Sequence, residues 1–291
     1  MKIYAIIIAI LFCVCRENVN AQVDNILSKY GGENAGGFVQ PLADAFTANL
    51  NSGLYQNGFV PLSGLHISVG VVLLGAPVSE SRRTFTGKTE GFFNPPQTAQ
   101  APSIFGSTEG TSVRGNGGTV YVFPGGLDVK LFSLAAPQIT IGSLYGTEAM
   151  LRFFQVKIGK TFGTLRLFGF GLRHNITQYL KLKDVPLDFA AGIYYQNFGL
   201  GDIISGSGVL VSGQASYKTG VLTLYGGPGF EFSSMKVEYN GSAGKVSTSV
   251  SAANKVRFTL GAAATLIFFR LHADYNLSSQ STFALGFSFV F

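Results

Sequence analysis

Apolar and polar residues alternate along most of the chain from residue 62 onward. In the stretch "LHISVGVVLL", Leu65, Ile67 and Val69 share one face while His66 and Ser68 share the other. The stretches "LDFAAGIYYQ", "KVRFTLGAAATL" and "RLHADYNL" repeat this two-residue period. Alternation over segments of about 10 residues is typical of transmembrane β-barrel strands, whose side chains face lipid and lumen in turn. The pattern therefore predicts an all-β fold, a transmembrane antiparallel β-barrel.

The alternating segments predict about twelve strands. They lie at 62–74, 118–123, 128–133, 137–143, 149–157, 163–174, 187–198, 207–217, 220–236, 253–266, 269–277 and 282–291. An even count places the long connections 75–117, 199–206 and 237–252 at one end. Short turns at 124–126, 144–148, 218–219 and 267–268 then lie at the other end, with a longer connection at 175–186 that could contain a helical turn. Because the strands proposed within 118–143 are short, the predicted range is 10–14 strands.

The last ten residues, "TFALGFSFVF", carry a stripe of large apolar side chains: Phe283, Leu285, Phe287, Phe289 and Phe291. An unpaired strand edge of this kind would aggregate in water, whereas in lipid a closed barrel pairs every backbone group. The alternative is the edge strand of a soluble sandwich. The stripe resembles the terminal strand of outer-membrane barrels, which implies recognition by the barrel assembly machinery through the strand that ends at Phe291.

The residues before the first strand divide into two predicted segments. Lys2, an apolar run from Ile3 to Val14 and the small-residue site Val19-Asn20-Ala21 predict a signal peptide over 1–21. Residues 22–61 predict a partly helical N-terminal plug, with a short helix that ends at Gly31-Gly32 and a second that begins at Pro41. The barrel is predicted to occupy 62–291, in the outer membrane of a Gram-negative cell.

Composition narrows the possible functions. Charged residues make up 12% of the chain, about half the share in soluble domains. The net charge of +6 comes from scattered residues, which argues against a nucleic-acid partner. Both cysteines, Cys13 and Cys15, lie in the predicted leader, and the three histidines are widely spaced. We therefore expect no metal and no cofactor.

The candidate site residues form two sets. Ionisable side chains on the inward faces predict a lumen lining, which could be a structural charge network or a solute-selective surface: His66, Asp188, Glu231, Arg257, Arg270, His272 and Asp274. The second set consists of plug residues expected to close the lumen: Leu42, Phe46, Asn49 and Tyr55.

Two resemblances add expectations. "LYGTEAMLRFF" with "GTLRLFGFGLRHNITQYLKLKDVPLDFAAGIYY" resembles an uncharacterised family of Bacteroidota outer-membrane barrels, which implies a barrel and no known activity. "ENAGGFVQPLADAFTANLNSGLYQNGF" is similar to the N-terminal plug of the long-chain fatty acid outer-membrane transporter family, although the Asn-Pro-Ala turn of that family is absent. This second resemblance implies transport of a hydrophobic solute.

The function expected from these features is an outer-membrane channel or passive transporter for a small solute, with hydrophobic solutes among the candidates. The alternative is a structural or surface-interaction barrel that transports nothing and meets a partner through its outer loops. A second alternative is an outer-membrane lipid hydrolase that uses His272, Asp274 and a nearby serine (Ser278, Ser279 or Ser281). Because the sequence around these residues has no nucleophile elbow, we expect that the protein is not an enzyme.

Overall fold

A computed structural model describes residues 29–91, 93–157, 164–180, 186–201, 203–241 and 244–291. The predicted signal peptide and the start of the predicted plug lie outside these residues. Among the described residues, one α-helix precedes the strands, α1 at Gly32–Leu50. The strands are β1 Ser63–Pro77, β2 Thr84–Lys88, β3 Thr98–Pro102, β4 Thr111–Arg114, β5 Val120–Phe123, β6 Leu131–Leu144, β7 Thr147–Lys157, β8 Thr164–Asn175, β9 Asp188–Leu200, β10 Ile204–Thr219, β11 Leu222–Gly241, β12 Gly244–Ser251, β13 Val256–Leu266, β14 Phe269–Leu277 and β15 Thr282–Val290.

Ten of these strands close into an antiparallel barrel in the order β1-β6-β7-β8-β9-β10-β11-β13-β14-β15, and β15 pairs with β1. Strand β12 pairs only with the far part of β11 and extends that hairpin beyond the barrel. The predicted barrel is confirmed, with a count at the lower end of the predicted range. Twelve was wrong because 118–143 supplies one long barrel strand, β6, instead of three short ones.

The connections make the two ends of the barrel unequal. The long-loop end carries the connections 78–130 and 242–255, and the short-turn end carries the turns 145–146, 220–221 and 267–268. The predicted turns near 144–148, 218–219 and 267–268 are confirmed, as is a helical turn within 175–186, at Thr177–Tyr179. The predicted inner turn at 124–126 was wrong, because those residues belong to the long connection between β1 and β6. The predicted long connection at 199–206 is also much shorter, since β9 ends at Leu200 and β10 begins at Ile204.

Side chains alternate between the two faces of the barrel wall as the sequence predicts. In β15, Leu285, Phe287 and Phe289 are 49%, 40% and 37% exposed, while Ala284 and Ser288 between them are buried. The other barrel strands show the same alternation, so large apolar groups cover the outer surface. No helix among the described residues is long and apolar enough to cross a membrane.

Helix α1 is one continuous helix inside the long-loop end of the barrel. It begins at Gly32 and passes through Pro41, so the predicted helix start at Pro41 was wrong. The predicted short helix that ends at Gly31-Gly32 lies almost entirely outside the described residues. The carboxylate of Glu90 accepts the N–H of Gly31 at 3.0 Å, which satisfies a free donor and places negative charge at the helix N-terminus. Gly37 is needed for packing, because a Cβ there would lie 2.6 Å from the ring of Phe85.

The long connection 78–130 covers the helix instead of forming a structureless loop. It contains the hairpins β2–β3 and β4–β5. Phe105 and Phe123 from this connection are buried in the same apolar cluster as Phe38 of the helix and Leu74 of the barrel wall. The connection is therefore part of the core at the long-loop end, where its apolar groups are buried against the helix and the barrel wall.

Candidate functional site

Residues 51–61, here called the strap, run down the lumen from the end of α1 to the start of β1. Near its upper end, Asn51 donates to Glu231 at 2.8 Å. Further down, the ring of Tyr55 meets that of Tyr225 edge-on at 5.9 Å. At the short-turn end, the side-chain amide of Asn175 donates to the carbonyl oxygen of Val60. The strap therefore runs through the lower half of the lumen.

Two arginines from different parts of the wall hold the junction between the helix and the strap. Arg152 lies on β7 and Arg257 on β13, and both are almost completely buried. Arg152 donates to the carbonyl oxygens of Leu50, Ser52 and Gly53 at 3.2, 2.9 and 2.8 Å. Arg257 donates to those of Ala48 and Asn51 at 3.0 and 2.6 Å. The end of a helix leaves carbonyl groups without partners and favours positive charge, so both arginines match this position.

The two arginines differ in how their charge is compensated. Arg257 pairs with Glu231, which is also fully buried. Arg152 has a neutral wall partner, the side-chain carbonyl of Gln138 at 2.8 Å. Among the described residues, no carboxylate lies within ion-pair distance of Arg152. The strap carbonyls are thus the main acceptors for this cation. The strap depends on Arg152 for donors, and Arg152 depends on the strap for acceptors.

A second polar cluster holds the lower part of the strap. Arg173 on β8 pairs with Glu148 on β7, and Glu148 also accepts from His66 at 3.1 Å. The same guanidinium donates to the backbone and side-chain oxygens of Asn57 and, at 3.3 Å, to the carbonyl oxygen of Phe59. Since Glu148 neutralises Arg173, this cluster orders the strap without leaving a free charge.

A third cluster lies between these two, on β11, β13 and β14. Asp274 accepts from Tyr225 at 3.2 Å and from Asn276 at 2.8 Å. Both ring nitrogens of His272 are buried without a hydrogen-bond partner among the described residues. The ring of His272 lies over Gly286, where a Cβ would be 1.8 Å from the imidazole.

Below the strap, a cavity of about 270 Å³ lies at the short-turn end. We call it the vestibule. Strap residues form one side, and every one of the ten barrel strands contributes at least one lining residue: His66 and Ser68, Thr140, Glu148, Arg173, Asp188, Ser216 and Lys218, Thr223, Thr265, Arg270 and Val290. The vestibule is therefore the lower part of the barrel lumen and not a side pocket.

The predicted lumen residues all lie on the inward side of the wall, but in separate places. Glu231 and Arg257 belong to the junction of helix and strap. His66, Asp188 and Arg270 line the vestibule, and His272 and Asp274 lie in the third cluster. The sequence does not place them in one site, because alternation shows which residues face inward but not how high each residue lies along the barrel axis.

The four predicted plug residues are buried. Leu42 belongs to the apolar cluster around the helix. The ring centroid of Phe46 lies 3.9 Å from that of Phe198 on the wall. Asn49 donates to the carbonyl oxygen of Phe132 at 3.0 Å, and Tyr55 belongs to the strap. Side chains on all sides of 41–50 are buried, so this part of α1 is enclosed by the wall and the hairpins.

Sequence reasoning missed Arg152 and Arg173, which donate several of the hydrogen bonds to the strap, and Glu148, which pairs with Arg173. The alternation of inward and outward positions did mark both arginines as inward-facing. Arg152 lies between the outward Leu151 and Phe153, and Arg173 follows Gly169 and Gly171 on the inward face.

The residues of the hydrolase alternative are not brought together. Asp274 is bonded to Tyr225 and Asn276 and not to His272. Ser278 and Ser281 lie at the long-loop end, where Ser278 donates to the carbonyl oxygen of Val256 at 2.6 Å and Ser281 to that of Ser278 at 3.3 Å.

Comparison with known proteins places the chain in a family. It matches, over residues 1–291, the sequence model of the "Family of unknown function (DUF6588)", and it belongs to that family. No curated protein matches it. The more specific resemblances to Bacteroidota barrels and to long-chain fatty acid transporters stay predictions.

Several solved outer-membrane proteins are distantly similar. OmpT of Vibrio cholerae is 9% identical, with a TM-score of 0.27 over 79% of this chain and 100% of that one. The outer membrane protease OmpT of Escherichia coli is 7% identical, with a TM-score of 0.33 over 80% and 96%. The toluene transporter TbuX of Ralstonia pickettii is 8% identical, with a TM-score of 0.25 over 81% and 90%. None of these similarities bears on what the chain does.

Proposed function

We propose that the protein is a plugged outer-membrane barrel that transports a small solute passively, with the strap as its gate. Large apolar side chains cover the outer surface of the closed barrel, and their exposure to water would favour aggregation. A bilayer accepts such a surface, because all backbone groups of a closed barrel are paired internally. These features support a location in the outer membrane.

The observation that carries this proposal is the difference between the two parts of the plug. Helix α1 is held by a continuous apolar cluster, so its displacement would expose many apolar groups. The strap is held by hydrogen bonds from polar side chains of the wall and by a much smaller apolar cluster, in which Leu54 and Tyr55 pack against five wall residues. Water or a polar solute that enters from the vestibule can replace hydrogen bonds of this kind. Movement of the strap is therefore the less costly way to open the lumen.

A flux measurement tests the proposal. The double variant Arg152→Met/Asn57→Ala removes a hydrogen-bond donor at the top of the strap and a contact at its lower part. We expect liposomes with the wild-type protein to swell slowly in small organic solutes, and liposomes with the variant to swell at least tenfold faster. Arg166→Met, which changes an exposed arginine at the long-loop end of β8, is the matched control. Equal and negligible rates for all three proteins would contradict a gated transporter.

A structural or surface-interaction barrel is the second candidate. The β2–β3 and β4–β5 hairpins and the β11–β12 extension lie at the long-loop end, outside the closed barrel. Together with the packed apolar cluster, they form a rigid surface suited to a partner outside the membrane. Negligible flux from the wild type and from the strap variant would favour this function.

Assembly and catalysis remain proposals. If the assembly machinery reads the last strand, Phe291→Ser should lower the amount of folded barrel in the membrane without altering the folded protein. A lipid hydrolase would have to lose a measurable activity in His272→Ala.

A further inference from the structure

The vestibule carries an excess of positive charge. Among its lining residues are three cations, Arg173, Lys218 and Arg270, and two carboxylates, Glu148 and Asp188. Glu148 is committed to Arg173. Asp188 and Lys218 lie near each other on the paired strands β9 and β10, since Asp188 is opposite Ser216. Among the described residues, Arg270 is the lining cation with no carboxylate as an ion-pair partner.

Arg270 has most of its hydrogen-bonding capacity free. Its Nε donates to the hydroxyl of Thr265 at 3.1 Å, and within the described ranges its terminal amino groups have no partner. An arginine side chain presents five N–H donors in a planar fork that fits a carboxylate. The half-buried position of Arg270 in the wall makes a charge-assisted bond there stronger than one in open water.

Apolar side chains also line the vestibule. The strap contributes Leu54, Tyr55, Phe59 and Pro61 beside the polar Gln56 and Asn57, and β15 contributes Val290. A volume of about 270 Å³ lies just below the roughly 300–1,000 Å³ of pockets for drug-sized ligands. The space therefore fits a solute of about ten non-hydrogen atoms, and not a long acyl chain.

We propose that the vestibule binds a small organic monocarboxylate with an apolar body, its carboxylate on Arg270 and its body against the strap. This inference deepens the proposed transport function by naming the class of solute that meets the gate. Contact of the apolar body with Leu54 and Tyr55 lets the bound solute compete directly for the position of the strap.

Equilibrium binding of benzoate to the purified full chain in detergent tests the inference, measured by ligand-observed NMR. Benzyl alcohol is the neutral probe of similar shape, and inorganic phosphate is the probe with charge and no apolar body. We expect benzoate to bind at least tenfold more tightly than either. Arg270→Gln should lower benzoate affinity about tenfold or more, and Arg270→Lys should lose less. Arg114→Gln, an exposed arginine on β4 away from the cavity, should leave binding unchanged.

Three outcomes would overturn the inference. Benzoate could bind equally to wild type and to an Arg270→Gln protein that still runs as a folded barrel. Benzyl alcohol could bind as tightly as benzoate, or phosphate could do so. Binding is measured independently of flux. If the protein binds benzoate but transports no solute, the proposed gate is refuted and the proposed binding site stands.

Discussion

The buried Arg152 offers a direct test of how the strap is held. The substitution Arg152→Met keeps much of the side-chain volume and removes the guanidinium. Three carbonyl oxygens, those of Leu50, Ser52 and Gly53, lose their donor. Each buried acceptor without a partner costs roughly 1–3 kcal/mol, or about 3–9 kcal/mol for the three.

An opposing contribution reduces this cost. Arg152 is 1% exposed, and it has no ion-pair partner among the described residues. Its removal therefore relieves the folded protein of a desolvation penalty of several kcal/mol. We expect a net destabilisation of the closed strap of about 3 kcal/mol, which corresponds to roughly a 150-fold increase in the population of the open form.

Hydrogen exchange of backbone amides in 49–57, read by mass spectrometry on the detergent-solubilised protein, measures this change. Exchange there should be about 100-fold faster in Arg152→Met, while exchange in the barrel strands stays within a few-fold of wild type. Arg166→Met should match the wild type throughout. Equal protection of the strap in Arg152→Met and wild type would refute the view that this arginine holds it.

Three other changes test other parts of the fold. Phe46→Ala removes a ring that packs on Phe198 and should destabilise the helix by about 3–5 kcal/mol, seen as proteolytic cleavage of α1 in an intact barrel; similar resistance to protease in both proteins would contradict this. Phe287→Arg places a charge on the outer face of the barrel and should cost about 2–4 kcal/mol in lipid, read from urea-induced unfolding in vesicles; an unchanged midpoint would mean that this face does not meet lipid. Gly286→Ala should be destabilising because its Cβ would overlap the ring of His272, and the double variant with His272→Ala should recover most of the loss in thermal unfolding; additive effects of the two changes would contradict direct contact.

The two faces of the barrel wall follow from a local pattern that is visible in the sequence. A period of two sorts residues between two faces, so the inward position of Glu231, Arg257 and Asp274 and the outward stripe of β15 could be predicted without coordinates. The same rule would also have found Arg152, which lies between the outward Leu151 and Phe153, and Arg173, which follows the inward Gly169 and Gly171. The number of strands was less certain, because 118–143 contains apolar runs that alternation cannot divide between a long strand and a small hairpin.

The helix boundaries could not be predicted correctly from residue preferences. Pro41 is an ordinary signal for the start of a helix. Here α1 continues through it because the barrel wall and hairpins from distant parts of the chain surround the helix, and tertiary packing outweighs local propensity. The fold of 78–130 depends on the same contacts, since its apolar groups are buried against the helix, the barrel wall and one another.

By itself, the sequence determined that this chain forms a closed barrel with an apolar exterior and a polar, charged interior, because those properties depend on the alternation of neighbouring residues. Only the tertiary structure decided which interior charges meet. Inward-facing residues on different strands lie at different heights along the barrel axis, and the strand register sets these heights. That register depends on strand pairing around the whole barrel. For this reason Arg257 holds the end of the helix beside Glu231, while Arg270 lines the vestibule with no carboxylate partner among the residues that the structure describes.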